Sequence, residues 1–162
     1  MILNEALLDN GITYADVNFE CTIETGDTNN CTVRALASAF EVNYRTANNG
    51  SKMLWNREYR QGVSLFDVMR LGDMGSLWGK KITQLGEMQD GRKQLGKMYH
   101  VGAGMKKFRR MSTGTFFKEY ACGTYYVVVS GHAFTVKDGK VMGNHADATM
   151  LKRPITVAYK IK

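Results

Sequence analysis

A chain of 162 residues with 44% hydrophobic content is the size of one globular domain with a core of its own, and leaves little room for two. Its net charge of +7 can attract an acidic or nucleic-acid partner, though such a face is more often a plain solvated surface. The longest apolar run, Tyr125 to Val129, is far too short to span a membrane, and a single proline, Pro154, with no Ser/Gly-rich or acidic run argues against an interdomain linker. The N-terminus lacks the basic start, apolar middle and small-residue cleavage site of a signal peptide, so a cytoplasmic setting with reduced thiols is expected. Three cysteines (Cys21, Cys31 and Cys122) without CxxC spacing speak against a disulfide framework or a structural zinc. His100, His132 and His145 have no metal-ligand spacing, so no metal and no other cofactor is expected.

Taken in order, Leu3, Ala6 and Leu7 have helical spacing and Asn10-Gly11 gives a stop, predicting a short helix over 3–9. Residues 18–24 alternate, with Phe19, Cys21 and Ile23 on one face, as in a strand. Val33, Leu36, Ala37 and Phe40 then recur as one buried helical stripe, and Thr28, Asn29 and Asn30 are N-cap residue types. A helix therefore starts at or beside Cys31. A thiol in a first helical turn sits among unpaired N–H groups at the positive end of the helix dipole, which favours its thiolate. The small residues Ala35, Ser38 and Ala39 would let a sheet approach closely.

Asn48-Asn49-Gly50-Ser51 reads as a loop, followed by a helix over 52–61 that ends at Gly62. Ser64 with Asp67 reads as a capped start to a further helix through Leu71. Trp55 and Trp78 read as core or groove walls. Frequent glycines over 72–111 weaken any long-helix reading there and predict irregular structure with short helical or strand pieces. Gly102-Ala103-Gly104 loosely resembles a phosphate cradle but lacks the Walker spacing. The bases outnumber the acids from Lys80 to Lys118, and Lys106, Lys107, Arg109 and Arg110 are the candidates for contact with nucleic acid or an acidic partner.

Ser112 can cap a short helix carrying Phe116, Phe117 and Tyr120. Tyr125 to Val129 suits a central strand buried on both faces. His132 to Val136, Val141 to Asn144 and Ile155 to Ile161 read as further strands. The fold class expected is α+β: a mostly helical part (1–71), an irregular basic insert (72–111) and an antiparallel sheet (112–162) of three to five strands, packed on the Cys31 helix.

A thiol nucleophile needs a base to take its proton, and that base needs a third group to fix its ring. Cys31 and His132 can supply the first two if the helix packs across the sheet. The turn after His132 leaves the third open. A two-residue Asp138-Gly139 turn sets His145 opposite His132, whereas a three-residue loop with a bulge sets Asn144 there. Asp147 is a further candidate. Cys21 and Cys122 read as buried thiols, and His100 as a surface residue.

A first-turn Cys on a small-residue helix, with a later Gly131-His132-Ala133-Phe134 strand and a polar orienter one strand on, resembles the papain-like cysteine peptidase superfamily. More narrowly, Asn30-Cys31-Thr32-Val33-Arg34-Ala35-Leu36-Ala37 joined to residues 131–141 is similar to small papain-like proteins of tailed bacteriophages and bacteria. The resemblance covers roughly residues 27–45 and 112–161. It implies Cys31 as nucleophile, His132 as general base and then acid, and Asn144 as orienter. It also implies an oxyanion hole from the Cys31 N–H and an upstream side-chain donor. No Gln precedes the Cys here, so Asn29 or Asn30 stands in. The Trp that follows the Asn in papain is replaced by His145. The implied activity is that of a cysteine peptidase or amidase in a bacterial cytoplasm, acting on a protein or peptide such as a host factor. The other expectation is a weak or inactive scaffold that binds nucleic acid or an acidic protein through 80–118.

Overall fold

The computed structural model describes residues 30–58, 60–143 and 145–162, with His145 described by its backbone alone. The helix expected over 3–9, the strand expected over 18–24, Cys21, Asn29 and Asn144 lie outside the described residues. The described chain is a mixed α+β arrangement.

Helix α1 (Cys31–Phe40) starts where the cap residues predict, and Val33, Leu36, Ala37 and Phe40 are all buried. α2 (Tyr44–Trp55) starts earlier than its sequence suggests: the Asn43 side chain accepts the Thr46 N–H at 2.8 Å and caps it. The stretch 48–51, expected as a loop, is helix interior. Gly50 belongs there because a methyl group on it would lie 2.5 Å from the Trp78 ring. This helix ends at Asn56 in a left-handed conformation, not at Gly62. α3 (Leu65–Met69) is capped by the Ser64 hydroxyl, which accepts the Asp67 N–H at 3.1 Å as expected, and α4 (Leu71–Met74) follows.

The region 72–111 is ordered into hairpins, correcting the expectation of irregular structure. Its strands are β1 (Ser76–Leu77), β2 (Lys80–Gln84), β3 (Glu87–Gln89), β4 (Arg92–Gln94), β5 (Gly96–Gly102) and β6 (Met105–Arg110). Of the glycines that argue against helix, Gly79, Gly91 and Gly104 sit at the turns, whereas Gly72 lies within α4 and Gly96 opens β5. Trp78-Gly79, Asp90-Gly91 and Ala103-Gly104 each have two successive positive φ angles, the backbone of a tight two-residue hairpin turn. Gly102-Ala103-Gly104 is such a hairpin tip and not a phosphate cradle.

α5 (Thr113–Glu119), capped by Ser112, leads into β7 (Thr124–Val129), β8 (His132–Lys137), β9 (Lys140–Met142), α6 (His145–Thr149) and β10 (Ile155–Ile161). The main sheet has six strands in the order β1-β2-β10-β7-β8-β9, one more than the largest number expected, because β1 and β2 from the glycine-rich region join it. Every neighbouring pair in it is antiparallel. The Asp138-Gly139 turn is the two-residue form, pairing Thr135 with Met142, so the register that would set Asn144 opposite His132 is not adopted. β9 stops at Met142, so the pairing does not extend to His145 either.

Alternation along β7 divides the core. Tyr126 and Val128 face α1 and α2, and Tyr125, Val127 and Val129 face Phe116 and Phe134 on the other side. Two side-chain bonds fix α1 on the sheet. Thr135 Oγ1 donates to the Ala35 carbonyl at 2.9 Å, and Tyr126 Oη donates to the Thr32 carbonyl at 3.1 Å. These contacts set the height of the helix start, and with it Cys31, against the end of β8. Among the described residues, no helix is long and apolar enough to cross a membrane.

The far end of α1 is held by charge. Glu41, in the left-handed region at φ 58°, is 6% exposed and binds Lys137 Nζ at 2.8 Å and Lys80 Nζ at 3.2 Å. Glu41→Gln keeps the shape and leaves Lys137 without its carboxylate in a largely covered position. We expect a loss of about 2–3 kcal/mol in urea unfolding.

Candidate active site

α1 ends its fixed track with Cys31 at the rim of the sheet, beside His132 at the start of β8. Because β9 ends at Met142, no strand among the described residues lies beside His132 and Ala133 on that edge. α6 fills the space and brings in Asp147. His132 Nε2 lies 2.9 Å from the Asp147 carboxylate. An ionised carboxylate only accepts, so Nε2 carries the hydrogen and Nδ1 is the nitrogen left to face the sulfur. His132 and the Cys31 thiol are hydrogen-bonded, and the Ala133 N–H also bonds the sulfur.

The electrostatics favour an ion pair. Burial pushes the Cys31 thiol up, but the His132 hydrogen bond, the Ala133 N–H and the charges of His132 and Arg34 outweigh it, and the thiol lies below its ordinary value of 9.0. His132 is raised from 6.5 to about 9, first by its hydrogen bond to Asp147 and then by the one to Cys31, against the opposing effect of burial. Asp147 is 1% exposed and is held from its other side by Arg153, whose Nη2 donates to Oδ1 at 3.1 Å. The Arg153 guanidinium also lies 5.6 Å from the centre of the Phe134 ring, which stacks near His132.

Cys31 and His132 open into one cleft of about 340 Å³. Val63, Leu65, Val68 and Val128 give it apolar walls, and Arg110 stands at its edge.

Of the expected site residues, Cys31 and His132 are brought together, and Asp147, named as an alternative to Asn144 and His145, occupies the orienting position. Asn30 does not border the cleft. It makes no side-chain cap, and its Nδ2 donates to the Tyr44 hydroxyl at 3.1 Å. Lys106, Lys107, Arg109 and Arg110 lie together on one hairpin, with only Arg110 reaching the cleft. Cys122, expected to be buried, is an exposed free thiol, because it lies in the bend before β7 outside both cores. His100 is exposed, as expected.

Sequence reasoning missed Arg153. Nothing in its neighbourhood marks it, since only the fold brings the start of β10 beside α6. Among the described residues, no group of three or more His, Cys, Asp or Glu is arranged to hold a metal ion. Comparison with protein-family models, curated proteins and solved structures gives no match.

Proposed function

We propose that this chain is a cysteine hydrolase of papain-like type, a peptidase or amidase working through a thioester. The observation that carries this reading is the line from Cys31 through His132 to Asp147, with the sulfur and the ring sharing one open cleft. The chain order Cys, His, carboxylate and the first-turn position of Cys31 support the papain-like assignment, and the phage-type resemblance rests on the sequence motifs alone.

In this mechanism the Cys31 thiolate adds to an amide carbonyl carbon, and the oxygen takes up the negative charge. The backbone N–H of Cys31, at the start of α1, is the donor that the papain-like reading assigns to that point. As the C–N bond breaks, His132 gives its Nδ1 proton to the leaving amine. Neutral His132 then takes a proton from water as the water attacks the thioester. Collapse releases the carboxylic acid and restores the thiolate–imidazolium pair. Asp147 keeps Nε2 protonated throughout, so Nδ1 remains the nitrogen that exchanges protons.

The test is the pH profile. Iodoacetamide should alkylate Cys31 in the wild-type protein at pH 6–7, in the range where an ordinary thiol is unreactive, with the adduct mapped by peptide mass. Acylation needs protonated His132, so kcat/KM for an amide substrate should fall on an alkaline limb near pH 9. Alkylation of Cys31 that begins only above pH 8 would exclude the ion pair.

A further inference from the structure

The cleft at Cys31 does not stop at its apolar walls. Arg110 forms part of it and also part of a second hollow of about 470 Å³, where it stands with Lys97, Tyr99 and Arg109. Arg110, at the root of the β5–β6 hairpin, is the residue common to both hollows. This hairpin carries Lys97, Lys106, Lys107, Arg109 and Arg110 and no acidic residue. Lys97 faces Arg109 directly across the ladder and Tyr99 faces Lys107, which puts two cations, a third cation and an aromatic ring on one face. Like charges directly opposite destabilise a strand pair, so this arrangement disfavours the hairpin unless a counter-charge covers it. Within the molecule, Glu119 supplies one, 3.0 Å from Lys97. Among the described residues, Lys107, Arg109 and Arg110 have no carboxylate partner. Tyr99, 42% exposed, adds an uncovered ring to the same face.

We propose that this hairpin is the substrate track of the hydrolase, and that the substrate is an acidic polypeptide segment whose carboxylates lie along Arg109 and Arg110 while its scissile amide reaches Cys31. The assignment rests on the hydrolase reading for the cleavage step, and on the charge and shape of the hairpin for the binding step. A polypeptide is favoured over a nucleic acid because the track leads into a thiol site that reacts with acyl carbonyls. The adjoining walls, Val63, Leu65, Val68 and Val128, also suit an apolar side chain better than a phosphodiester.

Fluorescence anisotropy of the full chain separates the two steps. The probes are a Glu-rich peptide of about 12 residues containing one Leu, its Lys-rich counterpart, and an oligothymidylate of similar length. The acidic peptide should bind with marked salt dependence, and the Lys-rich peptide should not. K107E/R109E, both on the hairpin and outside the Cys31 cleft, should weaken acidic-peptide binding at least about tenfold without slowing alkylation of Cys31 by neutral iodoacetamide by more than about twofold. Binding equal for both peptides, binding unchanged in the double variant, or tighter binding of the oligonucleotide overturns the track. Cleavage of both peptides at equal kcat/KM also overturns it, while leaving the hydrolase reading intact. Charge-selective binding without cleavage supports the track and counts against the hydrolase.

Discussion

His132→Ala should lower kcat/KM for any amide substrate by about 10³- to 10⁴-fold, with no comparable loss of folding stability. Two functions disappear together. The thiol loses the hydrogen bond and the positive charge that oppose its burial, so it is protonated at neutral pH, and the leaving amine loses its proton donor. Cys31→Ala should remove the remaining activity, and the double variant should be no worse than Cys31→Ala, because the two residues act as one unit. Stability separates this from general damage, since the His132 side chain is 22% exposed at a strand end and contributes little to either core.

The same pair makes a prediction about pH and folding. In the wild type the raised His132 makes stability fall as pH rises from 6.5 through about 9, while the lowered Cys31 thiol, which the folded chain deprotonates more readily than the unfolded one, opposes that fall. In Cys31→Ala the thiol is gone but Asp147 still raises His132. A raised histidine stabilises fully below 6.5 and loses that contribution as pH rises through its folded value. The thermal midpoint of Cys31→Ala should fall more steeply with rising pH than the wild type's, measured by calorimetry at matched ionic strength.

What could be read from the sequence follows the range of the interactions. α1 and its start at Cys31 were legible because a buried stripe and three N-cap types lie within the thirteen residues from Thr28 to Phe40. β7 was legible because a run of β-formers needs cover on both faces, and β10 was found with its observed limits. The glycine-rich stretch failed for a local reason that was available: Asp90-Gly91 is the same turn signal as Asp138-Gly139, which does read as a hairpin turn although its two- or three-residue form stays open in the sequence. α2 failed because Asn48-Asn49-Gly50 looks like a loop until Trp78, 28 positions after Gly50, shows why a glycine is needed in the helix. The site divides in the same way. Cys31 and His132 carry local signatures. The identity of the orienter depended on where β9 stops and on a five-residue helix with no sequence signal of its own. Asp147 was within reach as an alternative, and Arg153 was not.

That orienter gives the second large effect, from a residue that touches neither sulfur nor ring. Gly143 is buried between β9 and α6, and a methyl group on it would run into Asp147 Oδ2 and lie 3.2 Å from Phe134 Cβ. Phe134 is fixed in the middle of β8, so the carboxylate is the group that must move. It is bound on one side to His132 and on the other to Arg153, and displacement costs it the first of these contacts. Gly143→Ala should therefore reduce kcat by about 10²-fold, the scale expected when a catalytic group is misplaced by about 1 Å. Asp147→Ala should do at least as much. The discriminating measurement is the alkaline limb of the rate profile. With Asp147 off the ring, the largest contribution raising His132 is lost, and the limb should move down from about 9 toward 6.5 in both variants. Gly50→Ala is the control, since it creates a comparable clash against Trp78 away from the cleft. It should lower the thermal midpoint and leave the limb where it is. If the limb of Gly143→Ala also stayed near 9 while activity fell, the loss would come from packing alone, and Asp147 would not be the group that tunes His132.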